Sequence, residues 1–105
     1  MIVQIHTDNY IESSERLTVQ VESLVASAVE RFADRISRVQ VHLGDENSDR
    51  KGGANDKRCM MEARLDGRPP VAVTHQAPTL EQAMDGAADK LQRSIASMIE
   101  RLRDR

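Results

Sequence analysis

The chain has no tryptophan, one phenylalanine (Phe32), one tyrosine (Tyr10) and one cysteine (Cys59). A lone thiol excludes an intramolecular disulfide and fits a reducing compartment. With so few aromatic side chains, a core must be assembled from Val, Leu, Ile, Met and Ala. No aromatic platform is at hand to splay single-stranded RNA across a sheet. No apolar run approaches the length of a membrane span, and no basic-then-apolar leader opens the sequence. The expectation is a soluble cytoplasmic protein with no membrane partner.

Signs of catalysis are equally sparse. The histidines are His6, His42 and His75. His6 and His42 are expected on one sheet face, on neighbouring strands, with no Cys or carboxylate spaced to complete a metal site. Cys59 falls on the inward side of a strand, where a thiol is inert. Lys51-Gly52-Gly53 lacks the strand and helix that flank a phosphate loop. No catalytic residue, metal ligand, cofactor or small-molecule substrate is assigned, and the chain reads as a non-enzyme.

What the chain has is charge and periodicity. Its 105 residues suit a single domain, 1–105, with one modest core. The net charge of −2 is unevenly spread. Up to Asp34, acids outnumber bases (Asp8, Glu12, Glu15, Glu22, Glu30 and Asp34 against Arg16 and Arg31). From Arg35 onward bases prevail slightly. A nucleic-acid reading therefore needs a local patch rather than the global balance.

Period-two and period-3.6 stretches alternate along the chain. Ile2–Thr7 reads as a half-buried strand with Val3 and Ile5 inward, closed by an Asp8-Asn9 turn. Ser14 caps a helix to Asp34 with Leu17, Val21, Leu24, Val25, Ala28 and Phe32 on one stripe. Ile36–Leu43 is a strand with Val39, Val41 and Leu43 inward, parallel to the first through the crossover helix. Residues 44–56 form a polar loop with no apolar side chain larger than Ala, expected to be mobile and cleavable near Arg50-Lys51. Arg58–Leu65 is a strand with Cys59, Met61, Ala63 and Leu65 inward. Asp66-Gly67 makes a hairpin to an edge strand, Val71–Gln76, with Val71, Val73 and His75 inward. Thr79 caps a helix to Arg103 whose stripe runs Leu80, Met84, Ala87, Ala88, Leu91, Ile95, Met98 and Leu102.

The order is βαβββα. Both helices should pack on the apolar face of a four-stranded mixed sheet, an α+β fold. The other face stays open, and Arg38, Arg58 and Arg64 point from it. Lys90, Arg93, Arg101 and Arg103 line the exposed flank of the last helix. Ordinary solvation accounts for such bases about as well as a binding role does.

The chain also resembles a known family on particular residues. These are the opening Ile2-Val3-Gln4-Ile5 with Asn9, then Ser14-Glu15-Arg16-Leu17 through Glu30-Arg31-Phe32, and Ile36-Ser37-Arg38-Val39-Gln40-Val41-His42-Leu43. The last helix adds Thr79-Leu80-Glu81-Gln82-Ala83-Met84-Asp85 and Asp89-Lys90-Leu91 with Arg93. Together they resemble the ribosome hibernation-promoting factor family, also called ribosome-associated inhibitor, protein Y or sigma-modulation proteins, in its short form. The resemblance implies a domain like those that bind double-stranded RNA. It implies a cytoplasmic stress-response factor that binds small-subunit rRNA in the mRNA and tRNA channel and holds idle ribosomes inactive. Lys90 and Arg93 match the family's last-helix bases, and Arg101 and Arg103 stand in its basic tail. Asp8 stands where the family usually has a base, and Glu81 where it has Tyr, which marks a divergent branch. The second reading is a protein-interaction or regulatory module that kept the fold without the RNA site, using the open sheet face or the 44–56 loop. Homodimerisation is left open.

Overall fold

A computed structural model describes residues 1–46 and 57–103. The elements are β1 (Ile2–Thr7), α1 (Glu15–Ala28), a 3-10 helix (Glu30–Arg35), β2 (Ile36–Asp45), β3 (Lys57–Leu65), β4 (Val71–Ala77) and α2 (Leu80–Arg103). The sheet order is β1-β2-β3-β4. β1 runs parallel to β2, as a helical crossover requires, and the other pairs are antiparallel. This is the α+β, βαβββα arrangement expected, with both helices against one sheet face.

Alternation builds the core. Val39, Val41 and Leu43 on β2, with Cys59, Met61, Ala63 and Leu65 on β3, are buried beneath the helices. α1 adds Val21 and Val25, and α2 adds Ala83, Met84, Ala87, Ala88, Leu91 and Ile95. Leu24 is only half-buried, at the margin between the helices. Both helix starts are capped as their sequences require. Ser14 Oγ accepts from the Leu17 N–H at 3.1 Å. Thr79 Oγ1 accepts from the Gln82 N–H at 3.1 Å and donates to Gln82 Oε1 at 3.1 Å. Each cap satisfies a donor with no partner inside its first turn.

The structure departs from the plain sequence pattern in three places. The first helix does not run to Asp34: it ends at Ala28, and a 3-10 segment follows. The Phe32 N–H donates to the Val29 carbonyl at 2.8 Å. Three residues per turn place Val29 and Phe32 on one side, and both are buried. On β2, Ile36 also faces the helices, although strict alternation from Val39 would turn it outward. Ile36 pairs with Leu65 and Arg38 with Arg64, so Ser37 is an extra residue in a β-bulge. Its Oγ donates to the Arg64 carbonyl at 3.2 Å. The loop is also shorter than 44–56, because Gly44 and Asp45 extend β2 and Asp45 pairs with Lys57. An ion pair of 2.9 Å ties Lys57 to Asp45 there. The expected mobility and cleavage near Arg50-Lys51 lie outside the described residues.

α2 sits close to β4. A Cβ built on Gly86 would collide with the imidazole of His75, which faces inward as the alternation implies. In an open helix, Gly86→Ala would gain roughly 0.5–1 kcal/mol. Here it should lower the thermal midpoint, and adding His75→Ala should recover the loss; a stabilised single variant would refute the contact. Leu91, fully buried, should cost about 2–5 kcal/mol when cut to Ala in denaturant unfolding.

Candidate nucleic-acid interface

On α2, residues 90, 93, 97 and 101 recur at steps of three and four and share one flank. That flank and the free edge of β4 enclose a shallow groove lined by Lys90, Arg93, Arg101, Thr74, Ser94 and Ser97. Lys90 Nζ donates to the Thr74 carbonyl at 2.9 Å. It thereby occupies an acceptor that faces away from β3, and a lysine on an edge strand also opposes pairing by another chain. Arg93 donates to Asp89 Oδ2 at 2.6 Å, one helical turn away. Both partners are exposed, so the pair is screened and weak. Arg101 donates to Ser97 Oγ at 3.1 Å. Three of the expected site residues therefore do converge.

The sheet arginines stand elsewhere. Arg38, Arg58 and Arg64 alternate with residues that face the helices, so they emerge on the opposite side of the sheet. Arg38 and Arg64 are directly opposed across β2 and β3. Like charges in that position destabilise a sheet. Among the described residues neither arginine has a carboxylate within ion-pair distance. Arg58 differs: its Nε lies 3.4 Å from Glu46 Oε1, and Glu46 Oε2 also accepts from Gln76 Nε2 at 2.6 Å. Arg103 belongs to a third place. With Arg35 and Arg68 it rims a groove where the last turn of α2 meets the starts of β2 and of the β3–β4 turn.

The seven residues singled out in the sequence thus form three groups rather than one surface. Sequence reasoning missed Arg35 and Arg68. The signal was present: Asp34-Arg35 precedes β2, Asp66-Gly67-Arg68 follows β3, and antiparallel pairing must bring those two ends together. The Asp66 N–H donates to the Arg35 carbonyl at 3.0 Å. The opposite end of the sheet is acidic. Asp8 Oδ1 accepts from the Tyr10 and Ile11 N–H groups at 2.9 and 3.1 Å, and Oδ2 from the Asp45 N–H at 2.9 Å. Desolvation pushes the Asp8 carboxyl up, but these three donors outweigh it and hold the pKa below the usual value. Asp8 thus ties β1 to β2, a task that a base could not perform.

Burial pushes the Cys59 thiol up to about 12, leaving no thiolate at neutral pH. His6 and His42 stack on the open face with centroids 4.6 Å apart and planes 17° from parallel. Desolvation first, then the neighbouring His6, lowers the His42 pKa. Glu62 opposes the shift and Arg58 reinforces it. Among the described residues no group of three or more potential ligands could hold a metal, and no helix is long and apolar enough to cross a membrane.

The architecture is that of a class of small α+β domains already known in solved structures. It matches the N-terminal domain of Thermus thermophilus Protein Y with a TM-score of 0.73 at 21% identity, covering 93% of this chain and 99% of that one. A ribosomal subunit interface protein from Coxiella burnetii matches with a TM-score of 0.69 at 15% identity, covering 95% and 99%. At such identities the likeness is one of fold. The sigma 54 modulation protein / S30EA ribosomal protein family matches residues 3–103. The chain belongs to that family, one of ribosome-associated factors rather than enzymes. A search of curated proteins returned no match.

The histidine pair yields a pH signature. The unfolded chain takes up a proton at His42 near 6.5, whereas the fold resists protonation until lower pH. Stability is therefore full above about pH 6.5 and falls as pH drops through that value. The thermal midpoint should decline from about pH 7.5 to 5.5, and His42→Gln should flatten the decline. An equal decline in the variant would show that the pair does not carry it.

Proposed function

We propose that the protein binds the small ribosomal subunit, contacts its rRNA phosphates and occupies the channel for mRNA and tRNA, keeping idle subunits inactive in the cytoplasm. The observation that carries this reading is the family match across residues 3–103. Support comes from bases held outward on rigid elements: Lys90, Arg93 and Arg101 along one groove, Arg38 and Arg64 on the open sheet face, and Arg103 at the end of α2. An unneutralised pair such as Arg38 and Arg64, costly to the free protein, becomes favourable when a phosphate lies between them. Inhibition follows from occlusion and needs no chemistry. Asp89 and Glu46 already engage Arg93 and Arg58, so fewer phosphate contacts are available than the count of bases suggests.

Co-sedimentation with small subunits tests the proposal. Phosphate contacts release counterions, so the bound fraction should fall steeply between about 50 and 200 mM salt. Arg38→Glu with Arg64→Glu should weaken binding at least tenfold, and Lys90→Glu with Arg93→Glu should do the same. The thermal midpoint of the sheet variant should hardly move, since exposed charges contribute little to folding. A parent protein left unbound at low salt with subunits in excess would overturn the ribosome reading and leave the protein-interaction module in its place.

A further inference from the structure

The groove at the arginine-rich end differs in kind from the flank beside β4. It has a cavity volume of about 370 Å³, within the ~300–1,000 Å³ range of small-molecule sites. Its floor is aliphatic: Leu65 from the end of β3, with Met98, Ile99 and Leu102 from the last turns of α2. Met98, Ile99 and Leu102 are half-buried, so apolar surface stays open to solvent. The rim is cationic, from Arg35, Arg68 and Arg103. Asp34 and Asp66 line the same groove, yet among the described residues neither lies within 4 Å of any of the three guanidinium groups. The charges are gathered without being neutralised.

The rim is also built in advance. The Arg35 carbonyl accepts the Asp66 N–H, and the Leu65 carbonyl accepts the Arg68 N–H at 3.3 Å. Gly67, with φ +71°, takes the left-handed conformation that turns the chain there. The backbone of Arg35 and Arg68 is thus fixed before any ligand arrives, and only their side chains remain to be ordered.

An aliphatic floor beneath an arginine rim fits a ligand with one flat apolar part and one anionic part. We infer that this groove receives a single nucleoside phosphate unit, its base laid on Leu65, Met98, Ile99 and Leu102 and its phosphate held by Arg35, Arg68 and Arg103. A guanidinium can bind phosphate through two parallel donors and can also stack on a base. The Asp34 and Asp66 carboxylates can accept N–H groups from the edge of the base, as acidic side chains do with exocyclic amines. A duplex offers no such unit, because its bases are stacked inside, so the ligand is an unpaired nucleotide. For an RNA strand as the source, the inference rests on the RNA-binding reading above. The groove itself does not depend on it, since a free nucleotide carries the same chemistry.

Methyl-resolved NMR of the full chain tests the inference directly. Titration with a single-stranded hexaribonucleotide, with adenosine and guanosine monophosphates, and with inorganic phosphate should separate the alternatives. The methyl signals of Leu65, Met98, Ile99 and Leu102 should move with the hexanucleotide or the monophosphates and stay put with inorganic phosphate. Tighter binding of the hexanucleotide assigns the groove to a strand, and equal or tighter binding of a monophosphate assigns it to a free nucleotide. Arg68→Glu with Arg103→Glu should raise the dissociation constant at least tenfold, while the remaining methyl signals report an intact fold. Floor methyls unmoved by every nucleotide, or shifts confined to Val73 beside Lys90, would overturn the inference. Small-subunit binding by a parent protein with unmoved floor methyls would sink the groove alone. Moving methyls in a protein that never co-sediments would sink the ribosome reading alone.

Discussion

The close seat of α2 on β3 and β4 is the constraint on which the rest of the structure depends. With one Phe, one Tyr and no Trp, helix and sheet have no large ring to span a gap between them. They are held at short range by Ala83, Ala87 and Ala88 on the helix and Ala63 and Ala77 on the strands, with Met61, Met84, Leu91 and Ile95 filling the space between. Small side chains allow close approach, and a close-packed interior leaves little freedom to rotate. Gly86 against His75 is one point of that approach, where no Cβ would fit. Once the helix rotation is fixed, Lys90, Arg93 and Arg101 must fall beside β4. The last turn must also reach the end of the sheet where Arg35 and Arg68 stand. Packing therefore sets the placement of the charges.

The backbone connectivity sorts those charges by end. The starts of β2 and β4 and the ends of β3 and α2 share one end of the sheet, and four of these carry arginines at or beside them: Arg35, Arg38, Arg64, Arg68 and Arg103. Asp34 and Asp66 oppose them there. The ends of β1 and β2 share the other, with Asp8, Asp45 and Glu46. Twelve of the fifteen bases in the chain are arginine. That choice suits phosphate and base recognition, because a guanidinium offers fixed paired donors and a stacking face whereas an ammonium is a point charge. Acids at the far end have work of their own: Asp8 closes the β1–β2 junction, and Glu46 links β3 to β4 through Arg58 and Gln76.

Most of the fold was legible in the sequence because the two periodicities were clean. The stripe from Leu80 to Leu102 permitted one reading, and the alternation in β3 fixed which side of Cys59 and Met61 faced inward. What escaped were places where tertiary context overrode a local rule. The bulge at Ser37 reset the parity that strict alternation gave Ile36. The burial of Val29 together with Phe32 converted the end of α1 into a 3-10 turn. The site was less legible than the fold. Sequence spacing grouped Lys90, Arg93 and Arg101 because they share one helix. It did not show that Lys90 is held by Thr74, or that Arg58 is paired with Glu46, which stands just past the end of the neighbouring strand. Arg35 and Arg68 were overlooked because each looked like an ordinary loop base until strand pairing joined them.

The RNA binding proposed for this net acidic chain is contradictory only if charge is summed before distance is considered. β3 spans the sheet from the acidic end to the arginine end, and nine residues at about 3.3 Å each separate the two by roughly 30 Å. At physiological ionic strength the Debye length is about 8 Å. Asp8, Asp45 and Glu46 are therefore almost invisible to a phosphate seated at Arg35 or Arg68, and the local patch governs its binding. At their own end Asp45 and Glu46 are paired with Lys57 and Arg58, so a phosphate arriving there meets little net charge of either sign. A polyanion consequently meets a molecule with one attractive end and one end whose acids are largely paired, and the charge pattern favours one orientation. In the channel proposed above, that asymmetry would turn the arginine end toward the RNA and the other end away from it.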